Sequence, residues 1–397
     1  MLHPFHAPEK RFDFGKWLML ALLFVLSFAM FYSVTLRPSS DIAIHATWAS
    51  EGDFRDLTTF VHHGAHPMWH VMVSILLHMG MALPAAAALI TALAKVFTAY
   101  VTHRLLTAAL HDRLSRTAIT LFTAVLMFVS CGCIPSINPT VYAGIGTPNT
   151  WHSCTQLMAI AFMVVCVPYT AWCYDSFTER LPSQGNQTKL PWMQTIALGG
   201  LLFLSLLAKP TFMQAFLPAA CLFFLYQWIR HPHNSPYFLQ VLACVLPAIA
   251  FMIFQYLYYF GIIVPWQSSM VLEYDWTKML HVLLRVGLMM AFPIYVILIT
   301  RRQKWDTNFV LTLIFNLVAI VEMLILGEDG RRASDGNFGW GMMGASLMLW
   351  IVCMIRFLQD DRQWYKPQKL IGWALLAWHL ASGVYYVGYL FTSGTTL

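Results

Sequence analysis

The chain reads as a series of apolar runs, each about 20 residues long and separated by short polar breaks, and that is the length an α-helix needs to cross a bilayer. The runs fall at 17–36, 84–104, 117–134, 152–172, 192–208, 212–229, 237–257, 281–300, 307–326, 341–358 and 370–392. They predict eleven transmembrane helices in a single integral membrane domain, 1–397, an all-α polytopic bundle. The first run follows Lys10, Arg11 and Lys16 as a signal peptide would, but it is long enough to span and lacks a small-x-small cleavage site, so it reads as a retained helix.

A further apolar stretch, His66 to Gly80, would invert every later loop if it crossed. The charge distribution decides against crossing. With eleven spans and the N-terminus inside, sixteen of the 24 Lys and Arg fall on the inner side and six on the outer, the bias that membrane insertion demands. The 66–80 stretch is therefore expected to lie on the outer surface as an amphipathic helix. The expected location is a cytoplasmic (inner) membrane, with the C-terminus outside.

Composition agrees with the pattern. Apolar residues make up 58% of the chain and charged ones 11%, against roughly 25% charged in soluble domains, which excludes a water-soluble enzyme. The 8 Cys lie mostly within apolar runs, which excludes a disulfide scaffold. Because the net charge of +6 follows from sidedness, it does not point to nucleic acid.

The inner loops are short and basic. The outer ones carry the chemistry: Asp41, His45, Asp53, Asp56, His62 and His63 in the first; Asn138, Asn149, Trp151 and His152 in the second; Lys209 before Pro210; Trp266, Glu273 and Tyr274; and the glycine-rich 327–341 segment with Arg331, Arg332 and Asn337. Charges inside spans default to a functional reading. Arg285 and Glu322 each lie about four residues, roughly 6 Å, below an outer helix end and are expected to pair there. Lys95 is near mid-span, placed to snorkel, pair or reach a cavity.

Asp41 comes just after the first helix emerges, close to the headgroup boundary. It suits a general base that takes the proton of an acceptor hydroxyl, and it also suits a helix N-cap, since Ser39, Ser40 and Asp41 are all capping residues. His45, four residues on, shares its face and is placed to orient it. Asp53 and Asp56 are the rival carboxylates. Lys209, Arg331 and Arg332 are placed to meet a phosphate leaving group, with the glycines allowing close approach. Asn149, Trp151, His152 and Asn337 are candidate sugar or acceptor contacts. The i, i+4 pairs among His62, His63, His66 and His70 have a ligand spacing, but no Glu completes the usual zinc motif, so no cofactor is expected and a divalent metal, though not indicated, stays an open alternative. Cys131, Cys133 and Cys154 sit near outer helix ends, where an oxidising compartment would allow a disulfide.

This layout resembles the GT-C superfamily of polytopic glycosyltransferases. The resemblance runs over about the first 155 residues and rests on Asp41 in the first outer loop, the Pro-containing His66-Pro67-Met68-Trp69-His70 segment, Leu83-Pro84 opening the next span and His103-Arg104 closing it. It departs where Asp41 has no paired acid, where Ala82 stands in place of an Arg, and where Asn149–His152 replaces an acid. The chain also resembles bacterial membrane proteins with three outer motifs, here Asn149-Thr150-Trp151-His152, Lys209-Pro210-Thr211-Phe212 and Gly336 to Gly341, which implies that these segments meet Asp41.

Taken as a guide, the first resemblance implies a GT-C-like N-terminal module, 1–172, with its first outer loop at 37–83, followed by C-terminal helices, 173–397, with outer loops at 258–280 and 327–340. It implies a polyprenyl-phosphate-linked sugar donor, membrane lipid around it, and a glycan, lipid or protein acceptor. A polysaccharide polymerase or ligase of lipid-linked oligosaccharide needs the same outer cavity. A transporter or flippase would instead show inverted repeats and broken midplane helices, and the sequence shows no clear repeat.

Overall fold

A computed structural model describes residues 12–56, 58–61, 66–134, 136, 146–184, 188–261, 263, 269–273, 275–330, 336–360 and 363–392. Among them the chain forms an all-α bundle. Helix α1 (Phe14–Thr35) leads into two short helices, α2 (Asp41–Glu51) and α3 (Thr58–Val61), then α4 (Met68–His78), α5 (Leu83–Leu110) and α6 (Arg116–Phe128). The remainder is α7 (Cys154–Gln184), α8 (Trp192–Ala208), α9 (Thr211–Arg230), α10 (Ser235–Tyr259), α11 (Trp276–Thr300), α12 (Thr307–Ile325), α13 (Gly339–Gln359) and α14 (Lys366–Thr392). Strands β1 (Met270–Leu272) and β2 (Leu326–Glu328) pair antiparallel, with Val271 opposite Gly327, and join two loops at one end.

Nine of the helices in the described residues are long and apolar enough to cross a membrane. The other two expected spans are the shorter helices α6 and α8. The stretch expected to lie flat is α4, only 11 residues long, which packs on α2 and α5. Helix starts follow local chemistry. Side chains of Asp13, Ser40, Ser115, Asp275 and Asp306 each accept a backbone N–H of the first turn of α1, α2, α6, α11 and α12, satisfying donors a helix start leaves open. Pro84 sits in the first turn of α5, where its missing N–H costs nothing.

Two boundaries differ from expectation. α6 ends at Phe128 instead of running to 134, because the Ser130–Cys133 backbone bonds sideways: Ser130 N–H to His379 carbonyl and Gly132 N–H to Leu288 carbonyl. α7 continues to Gln184, about three turns past the expected end, as its apolar run passes into a polar helix.

Burial separates centre from rim. The membrane-length windows of α7 and α13 are 83% and 89% buried, against 28% for Pro232–Tyr258, so the former form the axis and the latter faces outward. Gly383 lets α14 cross the end of α6, since a Cβ there would overlap the Phe128 carbonyl oxygen. The loops expected outside gather at one end: Arg37 of the α1–α2 turn donates to the Leu390 and Phe391 carbonyls of α14. Those expected inside gather at the other, where Arg356 bonds Gln303 and forms an ion pair with Asp360.

Candidate functional site

Ser40, and not Asp41, caps α2: its Oγ accepts the Ala43 N–H at 3.1 Å and donates to the Val34 carbonyl. Asp41 is thereby released into the first helical turn, where a carboxylate also suits the helix dipole. One helical turn on, His45 brings Nε2 to 3.7 Å from Asp41 Oδ1, while its Nδ1 shares a hydrogen bond of 2.9 Å with Nε2 of His70 on α4. The second Asp41 oxygen, Oδ2, is shut off from solvent and has no hydrogen-bond partner among the described residues.

The rival carboxylates are occupied by their own turn. Asp53 accepts the Arg55 N–H and faces His78 at 3.9 Å. Asp56 accepts the Thr58 hydroxyl and N–H, which holds its carboxyl below the ordinary aspartate value.

Opposite α2 stands the start of α7. Cys154 is fully buried, and its sulfur, the His45 imidazole and an Asp41 oxygen lie within 4.8 Å of one another. His152, two residues earlier, hydrogen-bonds the Tyr386 hydroxyl through Nδ1 at 2.7 Å and meets the Trp340 ring at 5.8 Å. Burial pushes its pKa down to about 4, with Asp41 pulling it up and Lys209 pressing it down. Lys209 lies over the Trp340 ring, 4.2 Å from its centre. Gln156 of α7 donates to the Trp340 carbonyl, and the Thr211 carbonyl sits close against Gly341. The three outer motifs thus meet at the N-terminus of α13, with Asp41 in electrostatic contact.

On the far side of that helix start is a cavity of about 360 Å³. Lys278, His281 and Arg285, at i, i+3 and i+7 of α11, line one wall, and Glu273, Glu328 and Asn337 line the other. Lys278 pairs with Glu273, and Asn337 donates to Glu328 at 2.6 Å.

Several expected contacts are placed elsewhere. Asn149 does not face the cavity; both its N–H groups go to the Leu126 and Val129 carbonyls, at 2.7 and 2.9 Å, and its oxygen accepts from Lys95 Nζ at 2.6 Å. Trp151 is fully buried between Phe31 and Phe128, with the Lys95 ammonium 4.5 Å from its ring centre, so its face is not open to a sugar. Lys95 therefore pins the second outer loop from inside the bundle. Arg285 and Glu322, both described, do not form the expected ion pair: Arg285 lines the cavity, whereas Glu322 turns toward Gly341 on another side of α12. No disulfide joins Cys131, Cys133 and Cys154. His62, His63, Asn138, Trp266, Tyr274, Arg331 and Arg332 lie outside the described residues.

Sequence reasoning missed Cys154 as part of this cluster, along with His70, Trp340 and Tyr386. Cys154 had a signal, since it follows His152 by two residues on a loop already singled out. Tyr386 had none, because its turn of α14 reads as ordinary apolar span.

The class the fold defines is a multi-pass, all-α membrane protein with a buried polar cluster and a charged cavity at one end of the bundle. No protein-family model matches the chain, and no curated protein matches it.

Proposed function

We propose that this protein is a GT-C-like glycosyltransferase of a cytoplasmic membrane, taking a sugar from a polyprenyl phosphate on the outer face and passing it to a hydroxyl of a glycan, lipid or protein in cell-surface glycan assembly. In this reading α6 and α8 also cross, giving eleven spans with the N-terminus inside. The observation that carries it is Asp41: a carboxylate just beyond the first span, with one buried oxygen that no other group among the described residues satisfies.

The reaction assigns each group a task. The acceptor oxygen attacks the anomeric carbon, its proton passes to Asp41, and the bond from that carbon to the phosphate oxygen breaks, leaving polyprenyl phosphate. His45 holds Asp41 in place. The developing phosphate charge needs cations, and Lys209 is at hand in the cluster, while Arg285 lines the neighbouring cavity, in which Lys278 is paired with Glu273. Arg331 and Arg332 keep their place as candidates from the sequence.

The test is glycan export in a knockout host complemented with wild type, Asp41→Asn or Asp53→Asn at matched membrane expression. Loss confined to Asp41→Asn is expected. Full export with Asp41→Asn removes the base from the mechanism and puts a transporter or an assembly subunit ahead.

A further inference from the structure

The cluster at the start of α7 has the composition of a metal centre as well as that of an acid–base site. Three side chains of different chemistry, from two elements far apart in sequence, converge within 4.8 Å: the Asp41 carboxylate, the His45 imidazole and the Cys154 thiol. Around a tetrahedral ion held at about 2.0–2.3 Å, ligand atoms sit roughly 3.3–3.8 Å apart, so a small inward movement closes the set. The Asp41–His45 separation of 3.7 Å already matches.

Three independent features point the same way. The His45 nitrogen that faces the cluster is Nε2, and the other, Nδ1, is fixed by His70, the outer-shell hydrogen bond that metal-ligating histidines almost always make. Asp41 Oδ2 is buried without a donor among the described residues, and a cation would supply the missing partner. Charge balance also favours occupancy, because one carboxylate and one thiolate neutralise a divalent ion beside the buried His45 and Cys154.

We propose that Asp41, His45 and Cys154 bind a zinc-type divalent ion. The thiolate and imidazole select a borderline-soft metal over magnesium or calcium, which take oxygen ligands. Three protein ligands leave a fourth position open, as in catalytic zinc sites. The inference rests on the reading of this cluster as the reaction centre, and it adds the role of the ion: lowering the pKa of a bound hydroxyl so that the Asp41 oxygen not held by the ion can take its proton.

The experiment uses the full chain purified in detergent, loaded with zinc and stripped of excess, with bound metal counted by mass spectrometry. A parallel sample is loaded with cobalt(II) for absorption spectroscopy. Stoichiometric zinc is expected, with a thiolate-to-cobalt charge-transfer band in the near ultraviolet that persists in Cys133→Ala and disappears in Cys154→Ala. His70→Ala, which keeps all three ligands, is expected to weaken zinc binding about 10- to 100-fold. Absence of stoichiometric metal from the wild-type protein overturns the proposal, as does a charge-transfer band that survives Cys154→Ala. Neither readout involves glycan export, so the metal site and the transferase reading fail separately.

Discussion

Replacing Asn149 by Ala tests whether the second outer loop is an anchor or a substrate contact. The side chain makes three buried hydrogen bonds, one from the Lys95 ammonium and two to main-chain carbonyls. A bond to a charged group contributes about 1.5–3 kcal/mol and each neutral one about 1 kcal/mol, some 4 kcal/mol together. Inside membranes, polar bonds between helices average nearer ~0.6 kcal/mol because the unfolded state also finds partners. The truncation also strands an ammonium whose remaining support is the Trp151 ring, a contact worth about 2 kcal/mol when desolvated. These bounds place the expected loss near 3 kcal/mol.

Unfolding would be followed in mixed micelles against denaturing detergent, using the reactivity of buried thiols such as Cys166, Cys173 and Cys353. Lys95→Met and the double variant Lys95→Met/Asn149→Ala complete a cycle, in which the double variant should be more stable than the sum of the two single losses by about 1 kcal/mol or more. A loss below about 0.5 kcal/mol in Asn149→Ala, or strict additivity in the cycle, would refute the anchoring role and return Asn149 to the substrate contacts.

Other expectations are simpler. Ser40→Ala should cost about 1 kcal/mol in the same titration through loss of the α2 cap, and should lower glycan export by loosening Asp41. Gly383→Ala should lower the thermal midpoint far more than Gly388→Ala, whose new Cβ meets nothing. Denatured but unreduced protein should label at all eight cysteines with maleimide, and any lower count would reveal a disulfide. Two hydrogen bonds from Ser269, from its hydroxyl and its N–H, hold the Asp329 carboxyl below its ordinary value of 3.8. Their contribution is present above that value and is lost as pH falls through the lowered one, so Ser269→Ala should move the Asp329 titration upward in a carbon-13 NMR experiment.

The bundle was largely legible because hydrophobic periodicity and run length follow directly from the bilayer. Asp41 and His45 were legible together because four residues make one helical turn. What could not be read was anything set by contacts between distant segments. Nothing in Asn149-Thr150-Trp151-His152 says that a lysine 54 residues earlier will consume the asparagine oxygen, or that the tryptophan will turn inward. Arg285 and Glu322 were placed by counting along their helices, but such a count leaves rotation open, and the two side chains go to different neighbours. Cys154 joined Asp41 and His45 only through the packing of α2 on α7.

The clasp of Arg37 on the last carbonyls of α14 bears on how the protein is made. Its two partners lie 353 and 354 residues further along the chain. During synthesis α1 is made first, yet the guanidinium beside it finds those acceptors only after every other helix has been inserted. Loop closure over such a separation is slow, and the intermediate carries an open seam between the first helices and the missing last one. A bundle lacking α14 would therefore keep an unlatched cation at its rim and lose the bonds that α14 makes to Ser130, Cys133 and His152.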